Sequence, residues 1–300
     1  MAEPLVTVVV ITYEHERLVS DCLRSLVAQT YRNLEILVCD DASGDQTVAV
    51  AKTFANNDER IRIVCAEKNG GVSRNLNRGL GEAKGEFIAI IAGDDGSMPT
   101  RIARQVEAMQ ADPDCALCYT DWFIAVDDLD NIAKLSSSNG RYRPQGTGMD
   151  AVLMAKGNFV GGPTGMVRRS LTEDLRFDPR IDMCSDRLFW AQCARRGTVR
   201  YIDRPLCIYR RHSESLTARR PGRAKRAYEA HQQMFDIAEH ELGFAPDSIK
   251  QGRALARWRM LKDHLRYRAF PEALHQIRSL SRHPRSFVRA AAWDRAQRLG

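Results

Sequence analysis

Two pairs of adjacent carboxylates, Asp40-Asp41 and Asp94-Asp95, and the polar run Thr12-Tyr13-Glu14 each follow directly on an apolar stretch. Carboxyl groups brought together repel one another unless a cation or hydrogen-bond donors neutralise them. Two such pairs in one cleft would hold a divalent metal, with a phosphate-bearing ligand completing its coordination. An Asp after a strand is also an ordinary turn or helix N-cap residue, and either pair alone reads more readily that way. Both pairs, together with the polar end of the first apolar run, favour a ligand site. Cys115-Ala-Leu-Cys118 is a third spacing with chemistry in it. No second pair stands at zinc-ligand spacing and its neighbours are apolar, so a buried strand with reduced thiols is expected there.

The elements that must position these groups alternate in period. Val6 to Ile11 is a continuous β-branched run, as in a strand buried on both faces. Leu18, Cys22, Leu23, Leu26 and Val27 then fall at helical spacing within 16–29. Leu34 to Cys39, Ile61 to Cys65 and Glu86 to Ala92 read as three more strands, separated by helical stretches over 47–56 and 72–83. This alternation predicts an α/β fold, a Rossmann-like βαβ sheet that is mainly parallel. In such sheets ligands bind beyond the carboxyl ends of the strands, where all three polar clusters fall.

The same residues carry a resemblance. Val6 to Glu14, the helix end Ser25-Leu-Val-Ala-Gln-Thr-Tyr31, and Glu35 to Thr47 resemble the opening of family 2 glycosyltransferases of the GT-A fold. Asn69-Gly-Gly-Val-Ser-Arg-Asn75 to Gly79, and Ala83 to Ala89 leading into Gly93-Asp94-Asp95, continue it in order. The similarity covers roughly 1–217. It implies that Thr12, Tyr13 and Glu14 line the nucleotide base and ribose pocket, that Asp41 hydrogen-bonds the base, and that Arg74, Asn75 and Asp94 also meet the nucleotide sugar. Asp94 and Asp95 close the family's metal motif, so that Asp95, with Asp94, would hold a divalent Mn2+ or Mg2+, with His212 in Tyr209-Arg-Arg-His212 a further metal or diphosphate ligand and the neighbouring arginines candidates for the diphosphate. The family's metal motif begins with an Asp where this chain has Ala92, leaving one carboxylate fewer. Asp186 matches the family's catalytic base at a helix start, and Ser185 stands where Glu is usual. Helix capping by Ser185 or Asp186 would also explain that pair. For His212 the alternative is an exposed histidine beside two arginines.

The resemblance implies an inverting transfer from a nucleotide-diphosphate sugar, expected to be UDP-linked, to a saccharide or lipid-linked saccharide hydroxyl, as in cell-surface polysaccharide synthesis. The alternative is an inactive GT-A-like scaffold that binds a partner, kept open by Ala92 and Ser185. A dinucleotide-binding oxidoreductase is disfavoured, because Ile11-Thr-Tyr-Glu stands where G-x-G-x-x-G would follow the first strand. Residues 127–147 read as a polar loop over the cleft or a plain surface excursion. Asn158 to Arg169 resembles the loop and strand that shape the sugar and acceptor pocket, its glycines letting backbone approach a ligand.

Composition bounds the rest. The chain has 300 residues, 44% hydrophobic and 28% charged, which suits a core-forming protein. Its net charge of +7 is unevenly placed: residues 219–300 hold 18 Lys and Arg against 8 Asp and Glu, while the first 218 hold 27 against 30. The expected organisation is a glycosyltransferase domain over 1–217, with a nucleotide-binding half to 100 and an acceptor half from 101, then a basic, all-helical extension over 218–300. Helical pattern runs over 227–242, 248–268, 271–280 and 287–299. Ala254, Trp258, Leu261 and Leu265 share a face ringed by Arg253, Arg257, Lys262, Arg266 and Arg268, which could lie on an anionic membrane or pack on the catalytic domain. No recognised fold or motif for nucleic acid accompanies the charge. No signal-peptide pattern opens the sequence and no apolar run approaches bilayer length, so a cytoplasmic protein, at most peripheral at the inner membrane face, is expected.

Overall fold

The computed structural model describes residues 3–136, 143–215, 223–266 and 292. Its first half follows the sequence pattern closely. Strands β1 (Val6–Thr12), β2 (Leu34–Asp40), β3 (Ile61–Cys65) and β4 (Phe87–Ala92) are parallel in the order β3-β2-β1-β4, with Val8 beside Ile36 on one flank and Ala89 on the other. Because helices cover both faces, alternate residues of one strand enter different cores. Val6, Val8 and Val10 pack with Cys22, Leu23 and Leu26 of helix α1 (Val19–Val27). Val9, Leu37 and Cys39 face the other way, toward Leu76 of helix α3 (Val72–Glu82). Helix α2 (Thr47–Ala55) precedes β3 and adds Ala51 to the first core. Helix α3 lies so close to β1 that a Cβ at Gly79 would stand 2.3 Å from Val9 Cγ1.

The second half makes the sheet mixed. Strand β5 (Gly96–Ser97), helix α4 (Arg101–Gln110), strand β6 (Cys115–Val126) and strand β7 (Ile132–Leu135) follow β4. After helix α5 (Met149–Lys156) and a 3₁₀ turn at Gly162–Thr164 come β8 (Met166–Arg168), α6 (Arg169–Thr172), α7 (Ser185–Arg196) and β9 (Thr198–Arg211). Strand β8 is antiparallel between β4 and β6, and the long β9 runs parallel to β6 with β5 on its far side. Fully buried Arg101 ties the halves, donating from Nη2 to the carbonyls of Ile90 and Gly165.

Two expectations change, and the tail takes one of its two expected placements, packed on the preceding helices. Residues 127–147 are not all loop: β7 pairs antiparallel with β6, while 137–142 lie outside the described residues. The glycines after Asn158 admit aromatic rings in place of a ligand, since a Cβ at Gly161 would meet Trp122 at 2.7 Å and one at Gly165 would meet Trp190 at 2.6 Å. Of the tail's expected stripe, Ala254 and Leu261 are buried and half-buried Trp258 packs against Ala254 and Leu255, while the side chain of Leu265 lies outside the described residues. Helices α8 (Arg223–His240) and α9 (Pro246–Arg266) share one core with α5 and α7, through Met234, Phe235, Ile249 and Ala256 beside Met154 and Trp190. Gly252 of α9 sits against the Met154 carbonyl. Arg253 donates to Asp236 and Glu239, and Arg257 to the Tyr228 hydroxyl, so these two arginines are spent within the helical pair. The expected border at 217 and the helices expected beyond 266 fall outside the described residues. Cys115 and Cys118 lie buried and free in β6, as the apolar context indicated.

Candidate active site

The carboxyl ends of β1 and β2 meet the start of α3. Asp40 is consumed locally: it accepts from Thr12 Oγ1 at 2.9 Å, Ser43 Oγ at 2.6 Å and the Ser43 amide at 2.8 Å. Asp41 is buried and accepts from the amides of Gly70 and Gly71, the closest at 2.7 Å. Gly71, with φ of +83°, adopts a backbone that favours glycine and lets both amides point at one carboxylate. Asn75 is buried too, donating to the Cys39 carbonyl at 2.8 Å and accepting from Arg78. Thr12, Asp41 and Asn75 thus build the floor. Tyr13, 42% exposed, Glu14 and Arg74 stand exposed at its rim.

A second cluster forms at the end of β4. Asp94 Oδ2 is hydrogen-bonded to His212 Nε2 at 3.0 Å, so residues 118 apart in sequence meet as a pair. Burial works against the Asp94 charge, but the His212 hydrogen bond, with His15 and His212 nearby, outweighs it and holds this carboxyl below its ordinary range. Asp95 differs. It is buried and accepts the Arg210 amide at 2.9 Å, and burial followed by the Asp94 charge pushes its pKa well above the usual range. The Arg210 side chain is not turned to the cleft, since it is buried against Asp21 at 2.8 Å; Arg211 is exposed. Of the residues expected to hold a metal, Asp94 and His212 meet at the cluster, while Asp95 is turned to the Arg210 amide.

The third cluster is at the start of α7. Asp186 Oδ2 accepts from Asn158 Nδ2 at 2.7 Å, and Oδ1 accepts from the Arg187 amide. Burial raises the Asp186 pKa, opposed by the Arg187 amide, the Arg187 charge and the Asn158 hydrogen bond. Capping does not account for Ser185: the N-cap is Cys184, no side chain caps the helix, and Ser185 Oγ is bonded to Ser73 Oγ at 3.0 Å. That bond joins the first turn of α7 to the first turn of α3, two residues from Gly71. Backbone strain marks the same junctions, with Glu14, Ala42 and Cys184 at φ of 54°, 62° and 62°.

A carboxylate oxygen and an imidazole nitrogen are donors that divalent transition metals accept. Among the described residues no group of three or more His, Cys, Asp or Glu is placed to hold an ion by itself. Asp94 and His212 fit a cation whose remaining positions are filled by a ligand's phosphate oxygens.

The family model described as Glycosyl transferase family 2 matches residues 7–176. The chain belongs to this family. An uncharacterised glycosyltransferase of Methanocaldococcus jannaschii is 27% identical over 64% of this chain and 66% of its own length. A family relative from Campylobacter jejuni, named GalNAc(5)-diNAcBac-PP-undecaprenol beta-1,3-glucosyltransferase, is 26% identical over 81% of this chain and 77% of its own. Among solved structures, S. aureus TarS 1–349 in complex with UDP-GlcNAc superposes with a TM-score of 0.65 at 19% identity, over 86% of this chain and 73% of that one. The mannosyltransferase PcManGT of Pyrobaculum calidifontis, in complex with GDP-Man and Mn2+, gives 0.63 at 21% identity over 99% and 86%. These neighbours are GT-A glycosyltransferases, and the sheet described above has their fold.

Within this glycosyltransferase three residues escaped the sequence reading. His15 has an imidazole Nδ1 that is buried without a hydrogen-bond partner, and a Cβ at Gly93 would stand 3.0 Å from it. Burial lowers its pKa, against the pull of Asp94. Asn158 and Arg78 lie inside segments that carry the resemblance, but neither was singled out, because a single polar residue in a loop or on a helix has no spacing to betray its role.

Proposed function

We propose that this family 2 enzyme moves a sugar from a nucleoside diphosphate sugar, UDP-linked, to a hydroxyl of a saccharide or lipid-linked saccharide, by one displacement with inversion. The observation that carries the reading is the Ser73–Ser185 hydrogen bond, which sets the Asp186 helix against the helix whose entry is fixed by Asp41. A donor seated on the β1 and β2 ends would thereby face Asp186. A sugar hydroxyl is a weak nucleophile at neutral pH, and Asp186 takes its proton as the new bond forms. The raised pKa of Asp186 makes it a better proton acceptor than an exposed carboxylate, while Asn158 and the Arg187 amide keep it from being raised further. On the other face Tyr13 and Arg74 receive the base and ribose, with Thr12, Asn75 and Asp41 holding the floor beneath. A divalent Mn2+ or Mg2+, held by Asp94 and His212 with Asp95 behind them, would supply positive charge to the leaving diphosphate.

Ser185 in place of Glu, which kept the scaffold alternative open, is accounted for by its bond to Ser73. The lipid-linked acceptor is supported by the printed name of the Campylobacter jejuni relative. Among the described residues no helix is long and apolar enough to cross a membrane, so a lipid-borne acceptor would be met from the bilayer surface, which the +10 of residues 219–300 favours electrostatically. Thermal unfolding with UDP and GDP sugars, each with and without Mn2+ or Mg2+, tests the reading. One UDP sugar should raise the midpoint in a metal-dependent way, and Asp94→Asn should abolish the metal's share. No response to any nucleoside diphosphate would sink the proposal.

A further inference from the structure

We infer that Asn158 is the positioning residue of Asp186, fixing the direction and basicity of its carboxylate from the acceptor side of the cleft. The inference rests on the reading of Asp186 as the base. An amide side chain can present either an acceptor or a donor, and here the choice is forced. Asn158 Oδ1 accepts the Val160 amide at 3.1 Å, so Nδ2 is the end that faces Asp186 Oδ2, at 2.7 Å. Val160 is buried beside the Gly161 backbone that packs on Trp122, which makes the anchor rigid. Asn158 is itself exposed, two residues past α5. The carboxylate is held on its other oxygen by the Arg187 amide, whose own side chain turns away to the Leu153 and Met154 carbonyls. Asn158 is therefore a side-chain donor on Asp186.

The charged and titratable groups around Asp186 are Arg187 and Cys184 on its own segment. Behind Arg187 stand Arg259 of α9 and His231 of α8. The Arg187 side chain is bonded to the Leu153 and Met154 carbonyls and His231 to the Ala227 carbonyl. A hydrogen bond to a charged group that is lost on truncation shifts the acceptor's titration by roughly one to two pH units.

The experiment is a 13C-carboxyl NMR titration of the full chain, with Asp186 assigned by comparison with Asp186→Asn. Asn158→Ala should raise the Asp186 midpoint by roughly one unit or more. Asn158→Asp keeps the size and the acceptor for Val160 but puts a second carboxylate against Asp186, and should raise it further. Asn158→Ser, which restores a donor, should recover part of the shift. An unmoved midpoint in both the Ala and Asp variants overturns the inference, even if those variants lose thermal stability. The base reading fails separately, if Asp186→Asn leaves the turnover of the nucleotide sugar unchanged. With both intact, Asn158→Ala should lower kcat at pH 7 roughly ten- to a hundredfold with the donor KM unmoved.

Discussion

Acid should loosen the helical pair behind Asp186, through one histidine. His231 Nδ1 lies 2.6 Å from the Ala227 carbonyl, which can only accept, so Nδ1 carries the proton and acid must charge Nε2. Burial, followed by the neighbouring Arg187 charge, lowers the His231 pKa to about 4 from an ordinary 6.5. The unfolded chain therefore takes a proton below pH 6.5 that the folded chain refuses until about pH 4, and stability present above 6.5 is lost across that window. The loss from this residue is about 2 kcal/mol at pH 5 and about 3 kcal/mol at pH 4. His15, also lowered, acts in the same direction, while the raised Asp95 and Asp186 act oppositely. His231→Gln removes only the one titration, so the comparison isolates it. Denaturant unfolding of the parent and the variant at pH 7 and pH 5 is the assay. The parent should lose about 2 kcal/mol more than the variant between the two conditions. Equal losses would refute the assignment of a neutral, buried His231 beside Arg187.

Two glycines give steric predictions that can be read in the same unfolding assay. Gly79→Ala gains up to about 1 kcal/mol of helix propensity, but its Cβ at 2.3 Å from Val9 Cγ1 should cost more, for a net destabilisation of about 1–2 kcal/mol. Because α3 also carries Ser73 and Asn75, the donor KM should rise with it. Gly252→Ala places a Cβ 2.1 Å from the Met154 carbonyl oxygen and 2.6 Å from the Phe235 ring, neither of which can yield cheaply. It should destabilise by about 2 kcal/mol or more, and unchanged stability would show that α9 does not dock on α5 as described.

How far the sequence speaks depends on what each residue faces. Strands β1 to β4 were legible to within a residue because burial on both faces leaves unbroken runs such as Val8-Val9-Val10-Ile11, and their ends placed the polar clusters in one cleft. Strand β7 was not, since Ile132, Ala133 and Lys134 are exposed and carry no apolar period. The two Asp pairs look alike in sequence, yet Asp40 is spent on Thr12 and Ser43, Asp41 on two glycine amides and Asp95 on the Arg210 amide, leaving Asp94 to meet His212. Spacing locates a carboxylate at a strand end but says nothing of which backbone amides will turn toward it. Gly161 and Gly165 show the same limit, because a glycine announces a close approach without naming Trp122 or Trp190 as what approaches. Charge counting likewise did not show that Arg253, one of the residues ringing the tail's apolar face, finds Asp236 and Glu239 across the α8–α9 contact.

The central claim is that Asp186 removes the acceptor proton opposite a donor held over Tyr13 and Asp94. Steady-state transfer by Asp186→Asn, with donor affinity measured separately by calorimetry, tests it most directly. The account predicts a roughly 100- to 10,000-fold fall in kcat with donor affinity within about twofold of the parent. A variant that transfers sugar at the parent rate would contradict it.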